Sequence, residues 1–186
     1  MSDWFGTFIL RTYNKASIGQ VGTALGAATM LGGIGGTLLG SKVAHALESR
    51  LKNAFFLVPA MFMVLSAALL FVAVNVNSSL LITYVALLLA WTCFFCYSGP
   101  MNAAMINCMP VHLRSRSQGL GIFLSHILGD VISPPIIGAI SDASGSLRAG
   151  MQLVWIGAVF AALCWGIGGA CLSQMENVSS TEKEDQ

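Results

Sequence analysis

His126 and Asp130 stand four residues apart inside Ser117 to Ile140, a stretch of membrane-crossing length whose other residues are all uncharged. A carboxylate at the centre of a membrane helix costs roughly 2.5–3.5 kcal/mol on insertion scales, so such groups face a bundle interior or a water-filled cavity. The four-residue spacing places both side chains on one helical face. At helical periodicity Gln118, Gly119, Ser125, His126, Gly129, Asp130 and Ser133 fall within an arc of about 140°. Leu120, Leu124, Ile127, Leu128 and Val131 occupy the opposite arc. One face is polar and one is greasy, as in a helix that lines a cavity. Two readings follow. Either the polar face lines or gates a pathway through the bilayer, or His126 and Asp130 bond to each other or to a neighbour and hold the bundle together.

Pro134 and Pro135 follow directly. Neither has a backbone donor, so the carbonyls of Asp130 and Val131 lose their helical partners and the helix is expected to kink. Free carbonyls are tolerated in a membrane only where protein or water answers them. Catalysis is not expected. Ser125 adjoins His126 in sequence, with no spacing for an oriented nucleophile and base. Cys93-Phe94-Phe95-Cys96 has redox or metal spacing but no second ligand pair and no βαβ context. No metal, cofactor or nucleic acid is expected.

The elements that position these residues are membrane helices. Apolar residues make up 55% of the chain and charged residues 9%, with a mean hydropathy of +0.75; a soluble domain carries about 25% charged residues. Asn53 to Val111 contains no Asp, Glu, Lys, Arg or His and is long enough for two crossings. Five complete spans are expected: 16–41, 54–74, 80–108, 117–140 and 150–172. Residues 1–15 read as the end of a truncated helix, being too short to cross, and 173–186 as a disordered cytoplasmic tail. Basic residues Lys42, Arg50, Lys52, Arg114 and Arg116 outnumber Arg11, Lys15 and Arg148, which puts the 42–53 joint and the tail on the cytoplasmic side. Asn77-Ser78-Ser79 and Asn177-Val178-Ser179 match the glycosylation sequon but lie in a short turn and in the tail.

Three further patterns complete the reading. Gly32, Gly36 and Gly40 recur every four residues in the first span, a stripe for close helix packing that also suits sliding. Tyr84, Trp91, Phe95, Ser98 and Asn102 share a face of the third span, either to meet an amphipathic ligand or as a packing seam. Gly99-Pro100 marks a bend. The second and fifth spans carry no ionisable residue and read as peripheral, lipid-facing helices.

The run from Leu113-Arg114-Ser115-Arg116-Ser117-Gln118 through Ser125-His126-Ile127-Leu128-Gly129-Asp130 to Ser133-Pro134-Pro135 and Gly138-Ala139-Ile140-Ser141-Asp142 resembles the eleventh helix of Spinster-like transporters of the major facilitator superfamily. Trp4 to Asn14 and the glycine-rich span are similar to the end of helix seven and to helix eight of that family. The resemblance implies an all-α polytopic membrane protein. The chain would be the carboxy-terminal six-helix bundle of a transporter with its first helix truncated, residues 16–172 holding helices eight to twelve. It further implies that the first, third and fourth spans line a central cavity. The expected function is alternating-access transport of a small amphipathic or organic anionic solute, lysophospholipid or sphingolipid-like, with proton coupling left open. The partners would be the lipid bilayer, the solute and the missing amino-terminal bundle. The alternative is a truncated, non-transporting membrane protein that packs against partner subunits. Plasma and endolysosomal membranes are not distinguished. The loop after Gly40, Ser41-Lys42-Val43-Ala44-His45, departs from the superfamily signature in lacking an acidic residue.

Overall fold

In a computed structural model the backbone is described at residues 2–13, 16–51, 53–76 and 79–184, and side chains there apart from 2, 3, 108 and 172–184. Lys15, Lys52, Asn77 and Ser78, used above for orientation and the first sequon, lie outside the described residues, as do the side chains of the tail. The elements are α1 (Ser2–Thr12), α2 (Ile18–Glu48), α3 (Ala54–Asn75), α4 (Leu80–Phe95) and α5 (Ser98–Cys108). A 3-10 turn (Val111–Leu113), α6 (Arg114–Ser125), a π-helical segment (His126–Val131), α7 (Ser133–Ser144) and α8 (Leu147–Glu184) follow. No strand occurs among the described residues. Long uncharged sequences leave no other choice in a bilayer, because every backbone polar group must be satisfied within its own segment.

Five stretches are long and apolar enough to cross a membrane: Ile18–Glu48, Ala54–Asn75, Leu80–Asn107, Val111–Ser144 and Leu147–Cys171. The protein is an all-α, multi-pass integral membrane protein. Local chemistry sets the ends. Ser17 caps α2 by accepting the Gln20 N–H at 3.3 Å, and the Gln20 side chain accepts the Ser17 N–H in return. Gly145 closes α7 at φ 66°, a left-handed position that suits glycine. The break before Pro100 falls at Cys96-Tyr97, where α4 gives way to α5. The 42–53 joint is shorter than expected, since α2 continues to Glu48. α8 continues as helix through Glu184, and no Gly or Pro follows Gly169.

The packing overturns the expectation of two peripheral spans: α8 shares the most extensive interface with α3 and buries Met151, Val154 and Ala158. The second span, α3, is not peripheral. It is the hub, packing most extensively on α8 and α4 and touching α2 and α5 as well. In its most hydrophobic stretch 44% of residues are buried, against 6% for the span containing His126 and Asp130. Val58, Met63, Ala67, Leu70 and Val74 recur at three- to five-residue intervals along its buried side, and the wholly buried Ser66 donates its hydroxyl to the Ala90 carbonyl at 3.0 Å. The reason is size. Between lipid-solvated helices there is no hydrophobic penalty to decide what is inside, so small residues that permit close approach go to the interface. Ser66, Ala67 and Ala73 are such residues, and uniform hydropathy conceals them.

Two other seams follow the same rule. Gly32, Gly36 and Gly40 are buried on α2, facing α4 and the turn after it. A Cβ on Gly36 would run into the Thr92 carbonyl, and one on Gly40 into the Cys96 carbonyl. Gly150 of α8 lies against the Ile137 carbonyl of α7 in the same way. At the end of the bundle where α8 begins, Asn75 and Gln152 exchange amide hydrogen bonds of 2.9 and 3.3 Å, and Arg148 donates to the Val74 and Asn75 carbonyls. A cation at the carboxy-terminal end of α3 satisfies carbonyls that the helix leaves open. The short α1 is packed in as well: Phe5, Phe8 and Ile9 are buried, and the Tyr13 hydroxyl lies 2.8 Å from Thr83 Oγ1.

Candidate functional site: a cavity with one polar and one aromatic wall

The polar arc of the fourth span is carried by its least regular part. Pro134 and Pro135 sit in the first turn of α7, where their missing N–H groups leave no helical donor for Asp130 and Val131. Upstream of them the backbone widens into the π segment, and the Ile132 N–H reaches back to the Gly129 carbonyl. Wide turns of this kind concentrate at functional positions in helices. No side chain of α6 or of the π segment is buried, whereas α7 buries Ile137 and Ser141.

The π segment forms one wall of a cavity of about 690 Å³. Ser125, His126, Asp130 and Ser133 supply its polar groups. His126 Nδ1 lies 2.5 Å from Asp130 Oδ2, with the two side chains 67% and 66% exposed. The Ser125 hydroxyl returns to the Ile122 carbonyl at 2.8 Å, while the Ser133 hydroxyl oxygen is buried without a partner. The same cavity is lined by Trp91, Phe94, Phe95 and Tyr97, with Phe5 of α1 set edge-on to Trp91 at 6.1 Å. Leu70 of α3 and Val154 and Ala158 of α8 contribute apolar surface. Few polar groups set in an apolar enclosure are what a small-molecule site presents.

Of the residues singled out in the sequence, Trp91, Phe95, Ser125, His126, Gly129, Asp130 and Ser133 come together at this cavity. Gln118, Tyr84, Ser98 and Asn102 do not line it. Gln118 donates to Asn102 at 3.1 Å, tying α6 to α5. The Tyr84 hydroxyl is buried without a partner, away from the cavity. Beyond the break at Cys96-Tyr97 a face projected from α4 loses register, which takes Ser98 and Asn102 out of the lining and brings Tyr97 in. Tyr84 lies in α4 itself, two turns before Trp91, and Phe94 lies on α4 beside the projected face. Val154 and Ala158 were missed because beyond Gln152 the membrane-crossing part of α8 is uniformly apolar, with no charge to mark the side that lines the cavity. Cys96 donates its thiol to the Thr92 carbonyl at 3.2 Å, and both it and Cys93 are buried as small core residues.

The chain is 30% identical over 162 residues, 87% of its length, to the probable sphingolipid transporter spinster homolog 1 of Arabidopsis thaliana, and covers 32% of that protein. It is 31% identical over 119 residues, 63% of its length, to protein spinster homolog 3 of Danio rerio, covering 24% of it. The chain thus spans about a third of the length of the curated relatives it matches or less. No family profile matches the chain, and no solved structure is similar to it.

Proposed function

We propose that this Spinster-like chain forms the cavity-bearing half of a secondary transporter for an amphipathic solute. The observation that carries the reading is the cavity itself: a polar patch of His126, Asp130, Ser125 and Ser133 facing a bank of aromatic rings, enclosed by helices of membrane-crossing length. A solute with an apolar tail and a polar head matches both walls. Alternating access rocks one bundle against another about a site between them, and the relatives are about three times as long as this chain. On this reading the chain works with a second bundle, as a carboxy-terminal half. Lysophospholipid and sphingolipid-like solutes are the candidate class, the sphingolipid name being that of the plant relatives. Proton coupling through His126 and Asp130 is compatible with it.

The second reading, bundle glue without transport, has its own observation: His126 and Asp130 already satisfy each other. Uptake separates the two. The chain is joined to the amino-terminal half of a Spinster relative and reconstituted in liposomes. Saturable uptake of a labelled lysophospholipid is expected, lost in Asp130→Asn and His126→Ala at unchanged yield and thermal stability. The chain alone is expected to show none. Loss of yield and stability in step with loss of uptake would favour glue, and full uptake by both variants would end the pathway reading.

A further inference from the structure

The two walls of the cavity differ in charge as well as polarity. No lysine or arginine lines it among the described residues, and its charge-bearing side chains are His126 and Asp130. The imidazole Nδ1 is engaged with one carboxylate oxygen, Oδ2, at 2.5 Å. A charged His126 makes the pair neutral and a neutral one makes it minus one, so in neither state is the cavity positive. Arg148 is turned to the Val74 and Asn75 carbonyls; Arg11, Arg50, Arg114 and Arg116 lie at or beside helix ends and Lys42 within α2, all outside the lining. An anionic head entering here meets a carboxylate and no uncommitted cation. A cationic head can meet the second oxygen of Asp130 and the aromatic rings that line the same cavity. Trp91, Phe94, Phe95 and Tyr97 supply the rings, and aromatic faces attract ammonium groups.

Resting on the reading of this cavity as an amphiphile site, we infer that it selects a cationic head, a primary amine or a quaternary ammonium, over a purely anionic one. The apolar tail runs along Leu70, Val154 and Ala158. A zwitterion places its cationic part against Asp130 and turns its anionic part outward. A primary amine donates hydrogen bonds to Asp130, whereas a quaternary ammonium relies on charge and rings alone, so the two heads are separable by experiment.

The purified chain in lipid nanodiscs is tested for binding of tritiated dodecyltrimethylammonium, competed by dodecylamine, dodecanol and dodecyl phosphate, which share one chain length. The two cations should compete about tenfold better than dodecyl phosphate. Asp130→Asn should shrink that gap to about threefold or less, and Asp130→Glu should restore it. Phe94→Leu reads the aromatic wall separately and should weaken the trimethylammonium probe, so the test does not hang on the folding of one variant. Stronger competition by dodecylamine than by unlabelled trimethylammonium assigns an amine head, and the reverse a quaternary head; both support cation selection. Phosphate competing as well as the amine, or a gap unmoved by Asp130→Asn, overturns the inference and leaves the amphiphile site standing. Absence of saturable binding by all four probes overturns the amphiphile reading and this inference with it.

Discussion

The α3–α8 pair and the α6–π segment are both membrane-spanning, yet they solve opposite problems. α3 and α8 are apolar, share the most extensive interface in the bundle and are clamped at one end by Arg148, Asn75 and Gln152. α6 and the π segment carry the charges, bury no side chain and contact little beyond α5 and their own continuation. In a membrane, greasiness does not rank burial. Small side chains bring helices together, and polar chemistry is placed where packing is loose and the backbone irregular.

The sharpest way to break that contrast is at the glycine seam. Gly40→Val should cost about 3 kcal/mol or more, because the added Cβ meets the Cys96 backbone rather than a side chain that can swing away. Gly26→Ala has open space around it and should move stability by no more than about 0.5 kcal/mol. Thermal unfolding of the purified variants in detergent checks both; equal melting temperatures would show that the seam is not what fixes α2.

A smaller effect is expected inside α3. Ala67→Leu overfills a 4% exposed position and should destabilise by about 1–3 kcal/mol. Leu120→Ala on the open face of α6 should stay within about 0.5 kcal/mol, although it removes more apolar surface. The reverse order would restore α3 to the periphery. Next comes the clamp. Arg148→Gln leaves the last carbonyls of α3 without their donor and should cost about 1–2 kcal/mol, read by the same unfolding experiment. The smallest change in stability is expected for Pro134→Ala, within about 0.5 kcal/mol, since the site lies in the first turn of α7. Its effect should instead appear as geometry. A donor restored opposite the Asp130 carbonyl should convert the π segment towards α-helix and straighten it, lengthening the distance between spin labels at Gly119 and Ala143.

How much of this was legible in the sequence divides along the same line. The five spans and the polar arc of His126 and Asp130 were legible, because charge is scarce in a membrane helix and its placement is costly. The inward faces of α3 and α8 were not, because Ser66, Ala67, Ala158 and their neighbours differ from lipid-facing residues in size and not in hydropathy. The aromatic lining was partly legible: Trp91 and Phe95 were found, Phe94 lies beside the projected face, and only Tyr97 depended on where the helix breaks. Gly99-Pro100 announced a break without fixing that it falls at Cys96-Tyr97. Phe5 was read as part of a remnant, and only its packing on Trp91 shows it at the cavity.

The central claim is that the π-segment wall is open to water within the membrane and the α3 core is not. Single cysteines at Ser125, Ser66 and Leu128 on a cysteine-free background, treated in lipid with a membrane-impermeant thiosulfonate, test it directly. Ser125→Cys should be labelled at the cavity, while Ser66→Cys in the core and Leu128→Cys on the greasy arc should stay unlabelled. Labelling of the Ser66 position, or protection of Ser125 as complete as that of Ser66, would contradict the account.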